Sequence, residues 1–347
     1  MVALNLSEVK RQLQDHLQEG LLMVVGSGLS MAESIPGMEL LAQHLKREIP
    51  VKLAAIPDPA WEIAASALDA GDNLEAAMGK VNLFPTTVEA IVAETSRFVL
   101  TAERKVFEQV LGGKRELPLT PFVKHLFKAG KKFHVITTNY DRLVEMAAEA
   151  AEVGVDSRFV GYLRGRSDPK RSADAHRESY ISGRNSLFRN LPCLCVHKPH
   201  GSLDWFEVGG KIVRCPMDHG MVPIIITPGT SKYRESFRWA FDDQRNAGNR
   251  AASTATRLMF IGYGFNDDHL EQYLCPNLQL RKPTVILAKQ PSDNVWKLVN
   301  NSKETEVLVL CAVSDSDSRT RIVTQSGADL VVDEQLWNLE GFNQGVL

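Results

Sequence analysis

The sequence predicts an α/β protein built on a Rossmann-like parallel sheet, with an inserted helical lobe and a small irregular lobe. Short aliphatic runs, each long enough for a buried strand, recur through the chain. Most of these runs end in glycine or in small polar residues, as the strands of nucleotide-binding sheets do. Helical patterns separate the runs in the first half of the chain, which favours parallel strands joined by helices.

The composition excludes several classes of protein. The chain has 347 residues, of which 44% are hydrophobic and 24% charged, and its formal net charge is −2. It can therefore bury a large core, and it has no general electrostatic attraction for nucleic acid. Its first residues lack the pattern of a secretory signal, and no apolar run approaches the ~18 residues of a membrane span. We expect a soluble, cytoplasmic protein that does not bind a membrane.

A glycine turn after the first predicted strand is the stretch around which the chain is organised. The strand Leu21–Val25 runs directly into Gly26, Ser27 and Gly28, and a helix is predicted to follow. Glycines let the backbone approach a ligand closely, and a helix N-terminus attracts anions, so the pattern predicts a phosphate site. A simple connection between strand and helix is the alternative. Met31 stands where the dehydrogenase fingerprint has its third glycine, which disfavours hydride transfer.

The residues after this turn read as a helical lobe. Helix start signals occur at Asp58-Pro59 and Thr120-Pro121, and no strand pattern interrupts residues 51–130. We therefore predict a single domain over residues 1–347. Its nucleotide-binding core comprises residues 20–50 and 131–312, and residues 51–130 form the helical lobe.

Later strands end in residues that suit a binding site. The run 133–138 leads to Asn139 and Asp141, and the run 194–196 leads to His200. Because ligands bind at the carboxyl ends of parallel strands, we expect these side chains beside the glycine turn. Histidine can accept a proton near neutral pH. Helix capping is the alternative for the asparagine and the aspartate, and a structural or surface role is the alternative for the histidine.

Residues 156–190 are the most irregular and basic stretch, with eight Lys and Arg residues against four acids. A solvated loop is one interpretation. A basic lid over a pyrophosphate, or a docking surface for a partner or nucleic acid, is the other. Further strands at 224–227, 258–261, 284–288 and 306–312 bring the total to about seven.

Four strand-end motifs occur in a fixed order: GSGLS with a later IP, TTNYD, HGS and GYGFNDD. Together they resemble the sirtuin superfamily, and most closely its prokaryotic sirtuin-like branch of anti-phage defence proteins. The resemblance covers roughly residues 20–312. His200 and Gly201 match the catalytic His-Gly of the family, and Asn139 and Asp141 match its Gln-Asn-x-Asp motif.

The chain also departs from the sirtuin pattern. Residues 37–39 replace the Asp-Phe-Arg that covers nicotinamide in deacylases, and Thr138 replaces the glutamine of the second motif. The five cysteines contain no CxxC pair, so we expect neither the zinc module of the family nor another metal site. A clear acyl-lysine channel sequence is also missing. The absence of the zinc module and of the channel sequence weakens deacylation and favours hydrolysis of NAD.

The resemblance implies that NAD is bound as the substrate, and it gives roles to individual residues. Asn139 would place the attacking water or ribose, and His200 would accept a proton from that water or from a ribose hydroxyl; these two are the expected catalytic residues. Asp141 would hold the nicotinamide carboxamide, and the glycine turn would cradle the pyrophosphate through backbone N–H groups. The expected NAD-binding residues are Gly26, Ser27, Gly28, Ser30, Thr138, Asp141, Ser202, Gly262, Tyr263, Phe265 and Asp268. Of these, Tyr263, Phe265 and Asp268 are expected near adenine from their position after a strand end.

The function implied by the resemblance is that of an NAD hydrolase, producing nicotinamide and ADP-ribose as the effector of a bacterial antiviral defence system. Because such an enzyme must be restrained, we expect control by assembly or by a partner. Family analogy implies a homo-oligomer and a HerA-type ring ATPase, with nucleic acid reached through that partner. Two alternatives stay open: an NAD-dependent protein deacylase, and a non-catalytic scaffold that binds NAD or ADP-ribose and holds a partner ATPase.

Overall fold

The computed structural model describes residues 4–182, 185–217, 220–228, 238–267, 270–272, 282–301, 305–314 and 316–347. The helices of this part of the chain are α1 (Leu6–His16), α2 (Ser27–Ala32), α3 (Met38–Lys52), α4 (Pro59–Asp69), α5 (Leu74–Gly79), α6 (Pro85–Leu111), α7 (Leu119–Ala129), α8 (Leu143–Ala150), α9 (Pro169–Asp174), α10 (Arg238–Thr254), α11 (Asp293–Asn301) and α12 (Leu339–Val346). Its strands are β1 (Leu21–Val25), β2 (Lys132–Thr137), β3 (Gly154–Asp156), β4 (Phe159–Val160), β5 (Gly165–Ser167), β6 (Arg177–Ser182), β7 (Asn185–Asn190), β8 (Cys193–His197), β9 (Trp205–Val208), β10 (Lys211–Arg214), β11 (Arg257–Ile261), β12 (Thr284–Ala288), β13 (Val307–Val313), β14 (Ser316–Thr324) and β15 (Asp329–Val332).

The central sheet has nine strands in the order β15-β14-β13-β12-β11-β1-β2-β8-β3. The strands from β13 to β3 pair in parallel, and β14 and β15 extend the sheet in the antiparallel sense. Strands β1, β8 and β12 are buried along their whole length, as expected for aliphatic runs covered on both faces. The predicted fold class is confirmed, and the sheet is wider than the sequence predicted.

The helices between β1 and β2 form a lobe with its own apolar core, which includes Leu45, Trp61 and Ile91. A buried ion pair connects the second half of α6, which packs on the core of the sheet, to the start of α8. Glu103 of α6 has no exposed surface, and it accepts hydrogen bonds from the backbone N–H (2.6 Å) and the guanidinium of Arg142, just before α8. Burial raises the pKa of Glu103, and the guanidinium opposes that rise. Among the described residues, every helix is too short or too polar to cross a bilayer.

The basic stretch 156–190 is more ordered than the sequence suggested. Its short strands β4 and β5 join β9 and β10 in a four-stranded sheet, and β6 and β7 form a separate two-stranded ribbon. Most of its arginines have acidic partners: Arg158–Asp243, Arg166–Asp168, Arg171–Asp168, Arg177–Asp174 and Arg189–Glu178. Four of these pairs use acids of the stretch itself, and two of them share Asp168, so the stretch keeps an excess of positive charge.

Two histidines, His16 and His197, are buried against the sheet, and a third, His134, is partly buried beside His197. His16 Nε2 lies 2.9 Å from the carbonyl oxygen of Leu258, and His134 Nδ1 lies 3.0 Å from His197 Nε2. Burial lowers the pKa of His16 and of His134 to about 4, and it lowers the pKa of His197 well below 6.5. In the unfolded chain these groups regain a pKa near 6.5, so the unfolded state binds more protons below that pH.

We therefore expect the free energy of unfolding to be unaffected by these histidines above pH 6.5 and to fall as the pH drops towards 4. For His16 alone the loss should reach about 3 kcal/mol near the lower limit. Urea denaturation across this interval, on wild type and on His16→Gln, measures the slope. A slope that His16→Gln leaves unchanged would contradict the assignment.

Candidate active site

The order of the strands brings the predicted motifs to one edge of the sheet. Strands β11, β1, β2 and β8 are neighbours and run parallel, so their carboxyl ends lie side by side. The segments that follow these ends are the GYGF segment (residues 262–265), the glycine turn (residues 26–28), the NYD loop (residues 139–141) and the HG segment (residues 198–201). Motifs far apart in the sequence therefore meet where parallel sheets bind ligands.

The glycine turn packs against the GYGF segment, backbone to backbone. The N–H of Gly26 donates to the carbonyl of Ile261 at 3.0 Å, and the N–H of Gly28 donates to that of Gly262 at 2.9 Å. Gly262 has a φ of +60°, and a Cβ on Gly28 would lie 2.7 Å from the Cα of Gly262. These glycines permit the close approach of a second backbone segment. Two of the amides predicted to cradle a pyrophosphate thus already have partners.

Replacing Gly28 with alanine is expected to lower the free energy of unfolding by about 1–3 kcal/mol, because the new methyl group would press on backbone that cannot rotate away. Gly79 provides the matched control, since a Cβ there meets no atom within 4 Å. Denaturant unfolding of Gly28→Ala and Gly79→Ala compares the two positions. Equal stability of both variants would show that the contact between the two segments adapts freely.

A buried hydrogen-bond chain joins the glycine turn to the NYD loop. Asn139 Nδ2 donates to the carbonyl of Gly26 at 2.9 Å and to Ser30 Oγ at 2.7 Å, and Ser30 Oγ donates to Asp141 Oδ2 at 2.6 Å. Asp141 Oδ1 also accepts the N–H of Leu143 at 3.2 Å, so the aspartate caps α8 as well. Both amide N–H groups of Asn139 are used, so its carbonyl oxygen, an acceptor, is what it can offer to water or a ribose hydroxyl.

His200 forms a pair with a carboxylate that the sequence analysis missed. His200 Nε2 lies 2.8 Å from Asp267 Oδ2, with side chains 21% and 15% exposed. Gly201 has a φ of +82°, and a Cβ there would lie 2.2 Å from the carbonyl oxygen of Ile224, so this turn requires glycine. The carboxylate is close enough to act on the imidazole by its charge, and Nδ1 is the ring nitrogen that it does not contact. Asp268, the predicted acid, lies outside the described residues.

Other predicted residues have different surroundings. Thr138 is half-buried at the end of β2, and the side chain of Ser202 is fully buried. Tyr263 and Phe265 are 5% and 1% exposed and pack with Phe260 in the core, with ring centroids 6.0 and 4.6 Å from that ring. This packing gives no support to the predicted contact of these two rings with adenine.

A cavity of about 210 Å³ lies beside Gly28 and Gly262. Its walls are largely apolar, and Lys289 and Trp337 are among its polar or aromatic residues. The Lys289 ammonium lies 5.9 Å from the ring centroid of Trp337, whose Nε1–H donates to the carbonyl of Asp317 at 2.8 Å. Ligand pockets commonly measure about 300–1,000 Å³, so this cavity suits one part of a dinucleotide. No sequence motif points to Trp337, which lies beyond the four strand-end motifs.

A buried lysine ties the HG segment to the NYD loop. Lys198 Nζ donates to the carbonyl oxygen of Asp141, and it lies 3.2 Å from Glu145 Oε1. The lysine and the glutamate are 2% and 5% exposed, and Glu145 Oε2 has no hydrogen-bond partner among the described residues. Lys198 therefore fixes the relative position of two strand ends. In the part of the chain that the structure describes, no group of three or more His, Cys, Asp or Glu residues could hold a metal ion.

The fold and this edge define an α/β protein of the nucleotide-binding type. The model of the family described as "SIR2-like domain" matches residues 134–308, slightly more than half of the chain, so the chain belongs to that family. Members of the family are generally NAD-dependent enzymes. One similar solved structure is "Structure of Sir2Tm bound to a propionylated peptide", with 12% sequence identity, a TM-score of 0.36, and coverage of 82% of this chain and 89% of that one. No curated protein matches.

Proposed function

We propose that this protein hydrolyses NAD to nicotinamide and ADP-ribose. The observation that carries the proposal is the meeting of the Asn139–Ser30–Asp141 chain and the His200–Asp267 pair at the carboxyl edge of the parallel sheet. One group there can orient a hydroxyl or water, and another can accept a proton. Membership of a family of NAD-dependent enzymes supplies the substrate class.

The reaction breaks the bond between nicotinamide nitrogen and ribose C1′ and forms a bond from a water oxygen to C1′. Positive charge develops on the ribose in the transition state, so the site must place the water and exclude others. The Asn139 carbonyl oxygen is the acceptor that would orient the water, and His200, held by Asp267, would take its proton. Asp141 would bind the departing carboxamide, and the cavity beside Gly262 would hold the adenosine end.

Two departures from the sirtuin motifs favour hydrolysis over deacylation. Thr138 stands in place of the motif's glutamine, and residues 37–39 lack the Asp-Phe-Arg that covers nicotinamide in deacylases. We further propose a role as the effector of a bacterial antiviral defence system, since the four motifs resemble that branch. An enzyme that consumes a central cofactor has to be restrained, so control by a homo-oligomer or by a HerA-type ATPase partner is part of the proposal.

Chromatography of NAD incubated with the purified protein, with and without an acetylated peptide, tests the reaction. We expect nicotinamide and ADP-ribose without peptide, a strong loss in Asn139→Ala, and no change in the control Asn300→Ala, which alters an exposed asparagine of α11. Turnover that requires the peptide would instead establish a deacylase. If NAD binds but stays intact, alone and with the candidate ATPase, the protein is a scaffold and the proposal is wrong.

A further inference from the structure

The ribbon of β6 and β7 exposes its apolar side chains on both faces. All twelve strand residues are exposed, and within the described residues the ribbon pairs with no other strand. An isolated two-stranded ribbon is at best marginally stable in water. The face bearing Ile181 and Phe188, which are 82% and 71% exposed, leaves more apolar surface in water than the face of Tyr180 and Leu187, each 43% exposed.

The register of the ribbon places large and small side chains alternately on the more exposed face. Ser179 pairs with Phe188, and Ile181 pairs with Ser186, so the two large residues lie on one diagonal and the two serines on the other. A second ribbon laid on this face by a two-fold axis in its plane, along or across the strands, places each large side chain over a serine. Stacked sheets pack in this interdigitated way.

The two described arginines of the ribbon both have acidic partners, which does not favour a nucleic acid or a strongly charged protein as the partner. Arg189 pairs with Glu178 on the opposite face of the ribbon, and Arg177 pairs with Asp174 of α9. The ribbon face around Ile181 and Phe188 therefore offers apolar surface with a self-complementary pattern. From this pattern we propose that the face is an interface with the same face of a second copy of this chain.

The size of the face sets the strength of the contact. Six residues per strand, at about 3.4 Å per residue and with strands about 4.8 Å apart, give roughly 200 Å². Stable complexes bury about 800 Å² per partner, so a face of this size gives at most a weak, reversible and concentration-dependent dimer. The inference rests on the homo-oligomer part of the proposed function, for which it names the interface, and it does not depend on the proposed reaction.

Sedimentation velocity over a wide range of protein concentrations tests the interface. We expect wild type to associate, and Ile181→Asp/Phe188→Asp to raise the dissociation constant more than about tenfold. The matched control is Ile63→Asp, which charges an equally conspicuous exposed apolar residue of α4 and should associate like wild type. Circular dichroism checks that each variant is folded.

A further variant distinguishes a complementary, interdigitated interface from non-specific hydrophobic association. Ser179→Phe/Ser186→Phe adds apolar surface, but it fills the space above the two serines that the large side chains of the second copy would occupy. An interdigitated interface therefore predicts weaker association. Stronger association in this variant would show that the ribbon is merely adhesive, and would overturn the proposal. A wild type that stays monomeric at every concentration, or association that Ile181→Asp/Phe188→Asp leaves unchanged, would overturn it as well.

Discussion

Replacing His200 with alanine is expected to slow NAD hydrolysis by on the order of 10² to 10⁴, the usual contribution of a general base. The histidine lies at the edge of the sheet with one nitrogen held by Asp267, and its loss removes the proton acceptor while Asn139 and its partners keep their hydrogen bonds. The loss should appear in kcat more than in KM, since the imidazole acts on the transition state.

Asp267→Asn and the double variant His200→Ala/Asp267→Asn complete this test. If the aspartate acts through the imidazole, the double variant should be no slower than His200→Ala alone. His125→Ala, which removes a partly exposed histidine of α7, is the control and should keep full activity. An active His200→Ala enzyme would remove the histidine from the mechanism, whatever the effect of Asp267.

Replacing Lys198 with methionine is expected to lower the free energy of unfolding by about 3–5 kcal/mol. The change would leave the Glu145 carboxylate, 6% exposed, without its cation in a site shielded from water. Replacing both partners, in Lys198→Met/Glu145→Leu, should recover most of the loss, because a buried ion pair exchanged for apolar groups of similar size costs little.

Lys10→Met is the matched control for this measurement. Lys10 pairs with Glu334 at the surface, where the side chains are 27% and 35% exposed, and its loss should cost less than about 1 kcal/mol. Equilibrium denaturation of the variants gives the comparison. A Lys198→Met protein as stable as Lys10→Met would mean that water or a rearranged side chain reaches Glu145.

The parts of the fold that the sequence predicted are those with a strong local signal. The side chains of an aliphatic run such as β1 avoid water only when the strand is covered on both faces, which predicts a buried strand. The apolar residues of α6 recur at helical spacing, which predicts a helix with one buried face. Strands β14 and β15 and the ribbon carry no such run. Their pairing depends on distant or turn-mediated contacts, which composition does not reveal.

The candidate site shows the same limit at the level of single residues. Asn139 and His200 were predicted because each follows a strand end, but the motif Asn266-Asp267-Asp268 could not show which acid faces the histidine. That choice depends on backbone dihedral angles after β11, where Phe265 itself has a φ of +53°. The role of Lys198 cannot be predicted from the sequence, because a buried lysine and an exposed one have the same local pattern; only the position of Glu145 in the fold distinguishes them.

The ion pair between Glu103 and Arg142 has a mechanical consequence. Arg142 directly follows Asp141, the last member of the hydrogen-bond chain that holds Asn139. A displacement of α6 therefore pulls on the peptide next to that aspartate, with no flexible linker between them. The geometry around Asn139 thus depends on where α6 lies, through the two adjacent residues Asp141 and Arg142.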